Sequence, residues 1–223
     1  NQNKRLWRLY LLEMKYGVGV CGHYAESKGV VVLIMDDHKK SAKGGLNPLF
    51  ESLEKAKIID FHSGEQPKHI SKEDLRINYD NKKFLFWGNS KLPFKGVDKN
   101  SLKEKGRRLI SQIKEGIKNG THPQKLESLY NDFMKNVDAK SKHCVGVLAQ
   151  DEIWEENGEV GTLCLGEWHM SSTINFLKEK EISFIYLYNP DILVESRALF
   201  ISLKEQCLRG NKKRPVINLF NVL

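Results

Sequence analysis

The sequence holds no apolar stretch approaching the roughly 20 residues that cross a bilayer. Its first residues also lack the basic, apolar and small-residue series of a secretory leader. Both absences point to a chain that neither spans a membrane nor is exported, with the cytoplasm as the expected location. Cysteine is scarce, and the four present, Cys21, Cys144, Cys164 and Cys207, are widely spaced with no C-x-x-C pair. That spacing excludes a zinc ribbon or a dithiol redox motif and leaves free thiols within apolar segments. No linker-like tract, internal repeat or low-complexity run breaks the 223 residues, so one domain with insertions is expected. Acid is outnumbered by base: the net charge is +8 and the pI about 9.2, which suits a nucleic acid or another acidic partner without demanding one.

What the chain does contain is alternation. Leu6 to Met14 reads as a helix and Tyr16 to Cys21 as a short strand, together an N-terminal extension over residues 1–28. Gly29 to Met35 is continuously apolar and β-branched, the pattern of a central parallel strand covered on both faces, and it stops at Asp36-Asp37-His38. Leu46, Leu49, Phe50 and Leu53 recur at helical spacing before a short strand, Ile58 to His62. This β-α-β unit is expected to gather Asp36, Asp37, Asp60 and His62 at one sheet edge.

Phe84 to Trp87 reads as a further strand. Ser101 and Glu104 read as a capping box opening a helix with Leu102, Leu109, Ile110, Ile113 and Ile117 on its buried stripe. Lys103, Arg107, Arg108 and Lys114 fall on its basic face, where they are solvating residues or phosphate contacts for a nucleic acid. A second helix carries Leu126, Leu129, Tyr130, Phe133 and Val137, and Cys144 to Ala149 reads as a strand. Asn157-Gly158 marks a hairpin between Ile153-Trp154 and Val160 to Trp168, an insertion at about 151–170. A strand at Ile182 to Tyr188 and a helix from Leu193 to Leu208 complete an α/β domain over 29–223. The spacing of His38, His62, His69 and His143 marks no metal site.

Three stretches carry a family likeness in their order: Val32 to His38 with its acid pair, Asn89-Ser90-Lys91-Leu92-Pro93 with Gly96, and Tyr186 to Pro190. In that order the chain resembles the receiver domain of response regulators. The resemblance implies a doubly wound, mostly parallel five-stranded sheet of the receiver or flavodoxin-like kind. It also implies a degenerate crevice, in which Asn89 replaces the phosphoacceptor aspartate, Ala149 the hydroxyl residue and Asn189 the lysine, beside Asp36 and Asp37. Such a crevice has no catalytic residue and needs no cofactor, and a residual magnesium site would rest on Asp36 and Asp37. A module of this type regulates or scaffolds by binding a protein partner, here through Tyr188, Arg197, Phe200 and Lys204. The alternative reading is a metal-dependent nuclease or phosphodiesterase using Asp36, Asp37 and Asp60, with nucleic acid held by the basic helix.

Overall fold

A computed structural model describes residues 7, 8, 11, 18–36, 38–77, 80–150, 153–155 and 158–187. Six strands form one sheet: β1 (Val18–Gly22), β2 (Gly29–Asp36), β3 (His62–Pro67), β4 (Phe94–Asp98), β5 (Glu159–Gly166) and β6 (Ser183–Leu187). They stand in the order β1-β6-β2-β5-β3-β4, with only β1 antiparallel to its neighbour. Among the described residues seven helices connect them: α1 (His38–Ala42), α2 (Asn47–Lys55), α3 (Lys72–Ile77), α4 (Lys82–Asn89), α5 (Asn100–Lys118), α6 (Pro123–Leu148) and α7 (Met170–Glu179).

The sheet is α/β and mostly parallel, as the alternation suggests, with six strands where five were expected. All eight residues of β2 are buried, and successive strand residues face opposite sides, so helices cover both faces there. The helices pack as two groups, α1 to α4 and α5 to α7. Right-handed crossovers place such groups on opposite faces, because the chain crosses the sheet one way after β2 and β3 and the other way after β4 and β5. Counted alone in chain order, the parallel strands stand 5-1-4-2-3, against 2-1-3-4-5 in flavodoxin-like sheets. The two orders share the interior place of the strand that ends in Asp36 and differ in their crossovers.

Several expected elements differ. Phe84 to Trp87 lies in helix α4, not a strand, because the Asn81 side chain caps it by accepting from Phe84 N at 3.2 Å. A four-residue apolar run has no period of its own, and the cap decides. Cys144 to Ala149 is the end of α6, not a strand: nothing between Val137 and Cys144 breaks a helix, and Val137, Ser141, Cys144, Val145 and Leu148 are buried at helical spacing. Ile153 and Trp154 lie in no strand, so the expected hairpin with Val160 to Trp168 lacks its first arm. Residues 160–166 are all buried, and β5 runs parallel between β2 and β3, as a continuously apolar strand can. Helix α5 starts at Asn100 with no side-chain cap, so Ser101 is not a capping residue. Strand β3 begins at His62, and Asp60 therefore precedes it.

Of the cysteines, Cys144 and Cys164 are buried free thiols pushed well above the ordinary range by burial, and Cys21 is exposed. Among the described residues no helix is long and apolar enough to cross a membrane. Asp37, Tyr188, Asn189, Arg197, Phe200 and Lys204 lie outside the described residues.

Candidate active site

Topology singles out one place on the sheet. The chain leaving β5 crosses to β6 on one side, and the chain leaving its neighbour β3 crosses to β4 on the other. Diverging connections open a crevice at the C-terminal ends of the strands, where open α/β sheets bind ligands. Helices α5 and α6 extend past this edge and build their own small core of Leu109, Ile113, Tyr130, Phe133 and Val137, which walls the crevice. The result is a cleft of about 440 Å³.

Its floor is charged. Asp36, at the end of β2, is 3% exposed. Its Oδ2 accepts from the buried Lys83 ammonium of α4 and, at 2.9 Å, from His38 Nδ1, while its Oδ1 is buried without a hydrogen-bond partner. Burial pushes the Asp36 carboxyl up, but the His38 hydrogen bond and the Lys83 charge outweigh it and hold the carboxyl well below the usual range. The same hydrogen bond raises His38 against its partial burial. Burial also opposes the charge on Lys83, yet its ammonium is held above the ordinary value beside the Asp36 carboxylate.

Glu65 is the second hub. Between Gly64 and Pro67 the register of β3 against β4 slips: Gly64 pairs with Gly96 and Pro67 with Asp98. One extra residue therefore bulges from β3, and Glu65 is on the bulge. Its Oε1 accepts from Lys140 Nζ at 3.1 Å and lies 3.3 Å from His169 Nε2, and its Oε2 lies 3.5 Å from His38 Nε2. Lys140 also sits 3.3 Å from Asp98 Oδ2, and Ser141 Oγ lies 2.9 Å from His169 Nδ1. Burial raises the Glu65 carboxyl, but the Lys140 ammonium and the neighbouring imidazoles outweigh it and keep it low. Lys140 is raised in turn, with burial opposing and Glu65 and Asp98 prevailing. Burial lowers His169 and favours its neutral form. Ser141 Oγ also donates to Val137 O at 2.9 Å, which fixes the hydroxyl beside the ring on α6.

Above this floor stand Lys103 and Arg107 of α5, beside Leu102, Ile110, Phe133 and Trp168. Arg107 pairs with Glu104 at 2.8 Å, and burial lowers Lys103. Floor and wall together can hold an anionic group over paired acids and imidazoles.

The residues expected at the site divide. Asp36 lies beneath the cleft, bonded to the lining residues His38 and Lys83, and Lys103 and Arg107 line it, while Arg108 and Lys114 are exposed elsewhere on α5. Asp60 is not: its carboxylate accepts from Val160 N at 2.8 Å, beside the start of β5. Because Val160 pairs with Val30, Asp60 lies six strand residues, about 20 Å, from Asp36. The crevice of Asp36 with Asp60 is thus not formed, and the reason is the late start of β3. His62 also lies outside the site: it is level with Thr162, which pairs with Val32 four strand residues, about 13 Å, from Asp36, and its Nε2 bonds to Glu54 at 2.7 Å.

Asn89 is exposed at the far end of α4 from Lys83, six residues or about 9 Å along the helix. Ala149 is exposed nine residues, about 14 Å, past Lys140. Neither joins Asp36, because both follow helices where strands were expected. Sequence reasoning missed Glu65, Lys83, Asp98, Lys140 and His169. No protein-family model matches the chain, and no curated protein or solved structure matches it significantly.

Proposed function

We propose that the protein is a hydrolase acting on small phosphate esters in the cleft at the C-terminal edge of the sheet, assisted by a divalent cation. The observation that carries this reading is the convergence of Asp36, His38, Glu65, Lys83, Lys140 and His169 at the divergence of the β3 and β5 connections, beneath the basic side chains of Lys103 and Arg107. Catalytic sites need acids, bases and cations held at fixed spacing in a water-poor cleft, and few other purposes justify burying so many ionisable groups together.

Lys103 and Arg107 attract the phosphoryl group and orient it toward the floor. Lys140 and Lys83 neutralise the acids, so that the floor does not repel the substrate. Leu102, Ile110 and Phe133 add apolar surface beside them, limiting water around the ester. A divalent cation at the acids supplies polarisation of the phosphoryl oxygen and activation of water. The cleft volume suits a molecule of nucleotide size or less.

The test is hydrolysis of 4-nitrophenyl phosphate and bis(4-nitrophenyl) phosphate with magnesium, manganese or zinc present, and after chelation. Cation-dependent turnover is expected, falling about 100-fold or more in E65Q with little change in KM. The double variant K103A/R107A should instead raise KM about tenfold, since each charge-assisted contact contributes about 1.5–3 kcal/mol before solvent screening. A chain that turns over neither ester under any of these conditions, while remaining folded, would return the reading to a module that binds a protein partner without chemistry.

A further inference from the structure

We infer that Asp36, His38 and Glu65 form a binding site for a divalent first-row transition metal, of the manganese or zinc class rather than magnesium. The inference rests on the hydrolase reading only in placing the cation in that cleft. One donor atom from each of the three residues lies within 4.8 Å of the others. Metal bonds to nitrogen and oxygen of about 2.0–2.2 Å bring co-ligands to about 3–3.5 Å, so small side-chain adjustments close the set. The His38 Nε2 to Glu65 Oε2 distance is already 3.5 Å.

Three features give the set the character of a metal site. The first is the direction of His38. Its Nδ1 lies 2.9 Å from Asp36 Oδ2 and its Nε2 3.5 Å from Glu65 Oε2, so the ring reaches both carboxylates and offers a nitrogen to an ion held between them.

The second is the Asp36 Oδ1 atom, buried and without a partner while Oδ2 serves Lys83 and His38. A carboxylate oxygen in that position costs free energy until something positive reaches it. The third is the support of Glu65. Lys140 and His169 both hold Oε1, which leaves Oε2 on the His38 side. Asp36, Glu65 and Asp98 against Lys83 and Lys140 leave one negative charge in excess when both imidazoles are neutral.

Donor type sets the class of metal. Magnesium demands a near-octahedral oxygen shell and avoids imidazole, whereas manganese and zinc accept mixed nitrogen and oxygen sets. His38 is 66% exposed on its side chain, so an ion can enter from the cleft and keep open positions for water and substrate. His169 is a positioning residue in this arrangement, acting through Glu65.

The test is titration of the intact chain with cobalt(II), followed by its visible absorption, with competition by zinc and magnesium. One equivalent should bind, with an absorption spectrum of mixed nitrogen and oxygen ligation. Zinc should displace it, and a hundredfold excess of magnesium should not. H38Q, which alters an exposed side chain and should leave the circular dichroism unchanged, should weaken binding by about 100-fold, and H169Q by about tenfold. Absence of saturable binding, equal displacement by magnesium, or wild-type affinity in folded H38Q would overturn the site. Cobalt binding lost in H38Q without ester hydrolysis would keep the site and remove the hydrolase reading. Ester hydrolysis supported by magnesium and unchanged in H38Q would do the reverse.

Discussion

Replacing Asp36 by alanine should destabilise the protein by about 3–5 kcal/mol, because it leaves the Lys83 ammonium buried without its counter-ion. The two side chains are 1% and 5% exposed, and water cannot reach Lys83 to take the place of the carboxylate. The ring faces of Phe84 and Trp87, 5.4 and 5.0 Å from Lys83 Nζ, recover only a little of the loss. The double variant D36N/K83M should recover most of the stability, since a neutral pair of similar volume removes the charge that cannot be solvated. Urea unfolding followed by circular dichroism measures both. A D36A variant within about 0.5 kcal/mol of the wild type would show that the pair contributes nothing net.

The same pair sets an acid dependence of known sign. The folded Asp36 carboxyl is held well below its ordinary value of 3.8, so the folded state binds its proton less readily than the unfolded chain does. The resulting stability is complete above about pH 4 and is lost progressively as pH falls below that value. Glu65, also lowered, adds a loss of the same sign. The unfolding midpoint of the wild type in urea should therefore fall steeply below pH 4, and less steeply in D36N/K83M.

The elements legible in the sequence were those whose length or burial exceeds any local ambiguity. Gly29 to Met35 reads as a central strand because seven apolar and β-branched residues leave no polar face for solvent. Leu109 and Ile113 of α5 and Phe133 and Val137 of α6 show helical spacing over many turns, and both helices are present. Short apolar runs were not legible. Phe84 to Trp87 and Cys144 to Ala149 fit either period, and what decides them is a cap at Asn81 in one case and the absence of a breaker in the other.

The site was legible at Asp36, where a polar residue ends a continuous apolar strand, and at Lys103 and Arg107 on the basic face of α5. A weaker signal marks His169, which closely follows β5, whereas Asp98 ends a strand that also holds Lys95 and stands out by nothing local. Lys83 and Lys140 were hidden for a physical reason. A lysine among polar neighbours is normally solvated, and only tertiary contact with Asp36 or Glu65 makes burial tolerable. Glu65 was hidden by a bulge, which depends on the register between two strands and leaves no mark in either alone.

That bulge makes Gly96 the residue where a single methyl group should do the most damage. A Cβ built at Gly96 would stand 2.0 Å from Pro67 O and 2.6 Å from Gln66 O, both backbone atoms of the bulged strand. Neither can swing aside as a side chain could, so β3 and β4 must separate or the bulge must collapse. Gly96→Ala should cost about 3 kcal/mol or more, at the upper end for adding one carbon to a packed interior. Its consequence reaches the site, because the bulge carries Glu65, and β4 carries Asp98 two residues beyond Gly96. Any G96A protein that folds should lose the one-equivalent cobalt site even at a temperature well below its melting point. Gly146→Ala is the matched control: the added carbon meets nothing within 4 Å, and the residue lies inside α6. A glycine in a helix interior is about 0.5–1 kcal/mol worse than alanine, so G146A should raise the melting temperature and leave cobalt binding unchanged. Thermal melts and cobalt titrations of both variants measure the contrast; a G96A protein as stable as the wild type with its metal affinity intact would mean that β3 does not bulge against Gly96, and that Glu65 is aimed by some other feature of the sheet edge.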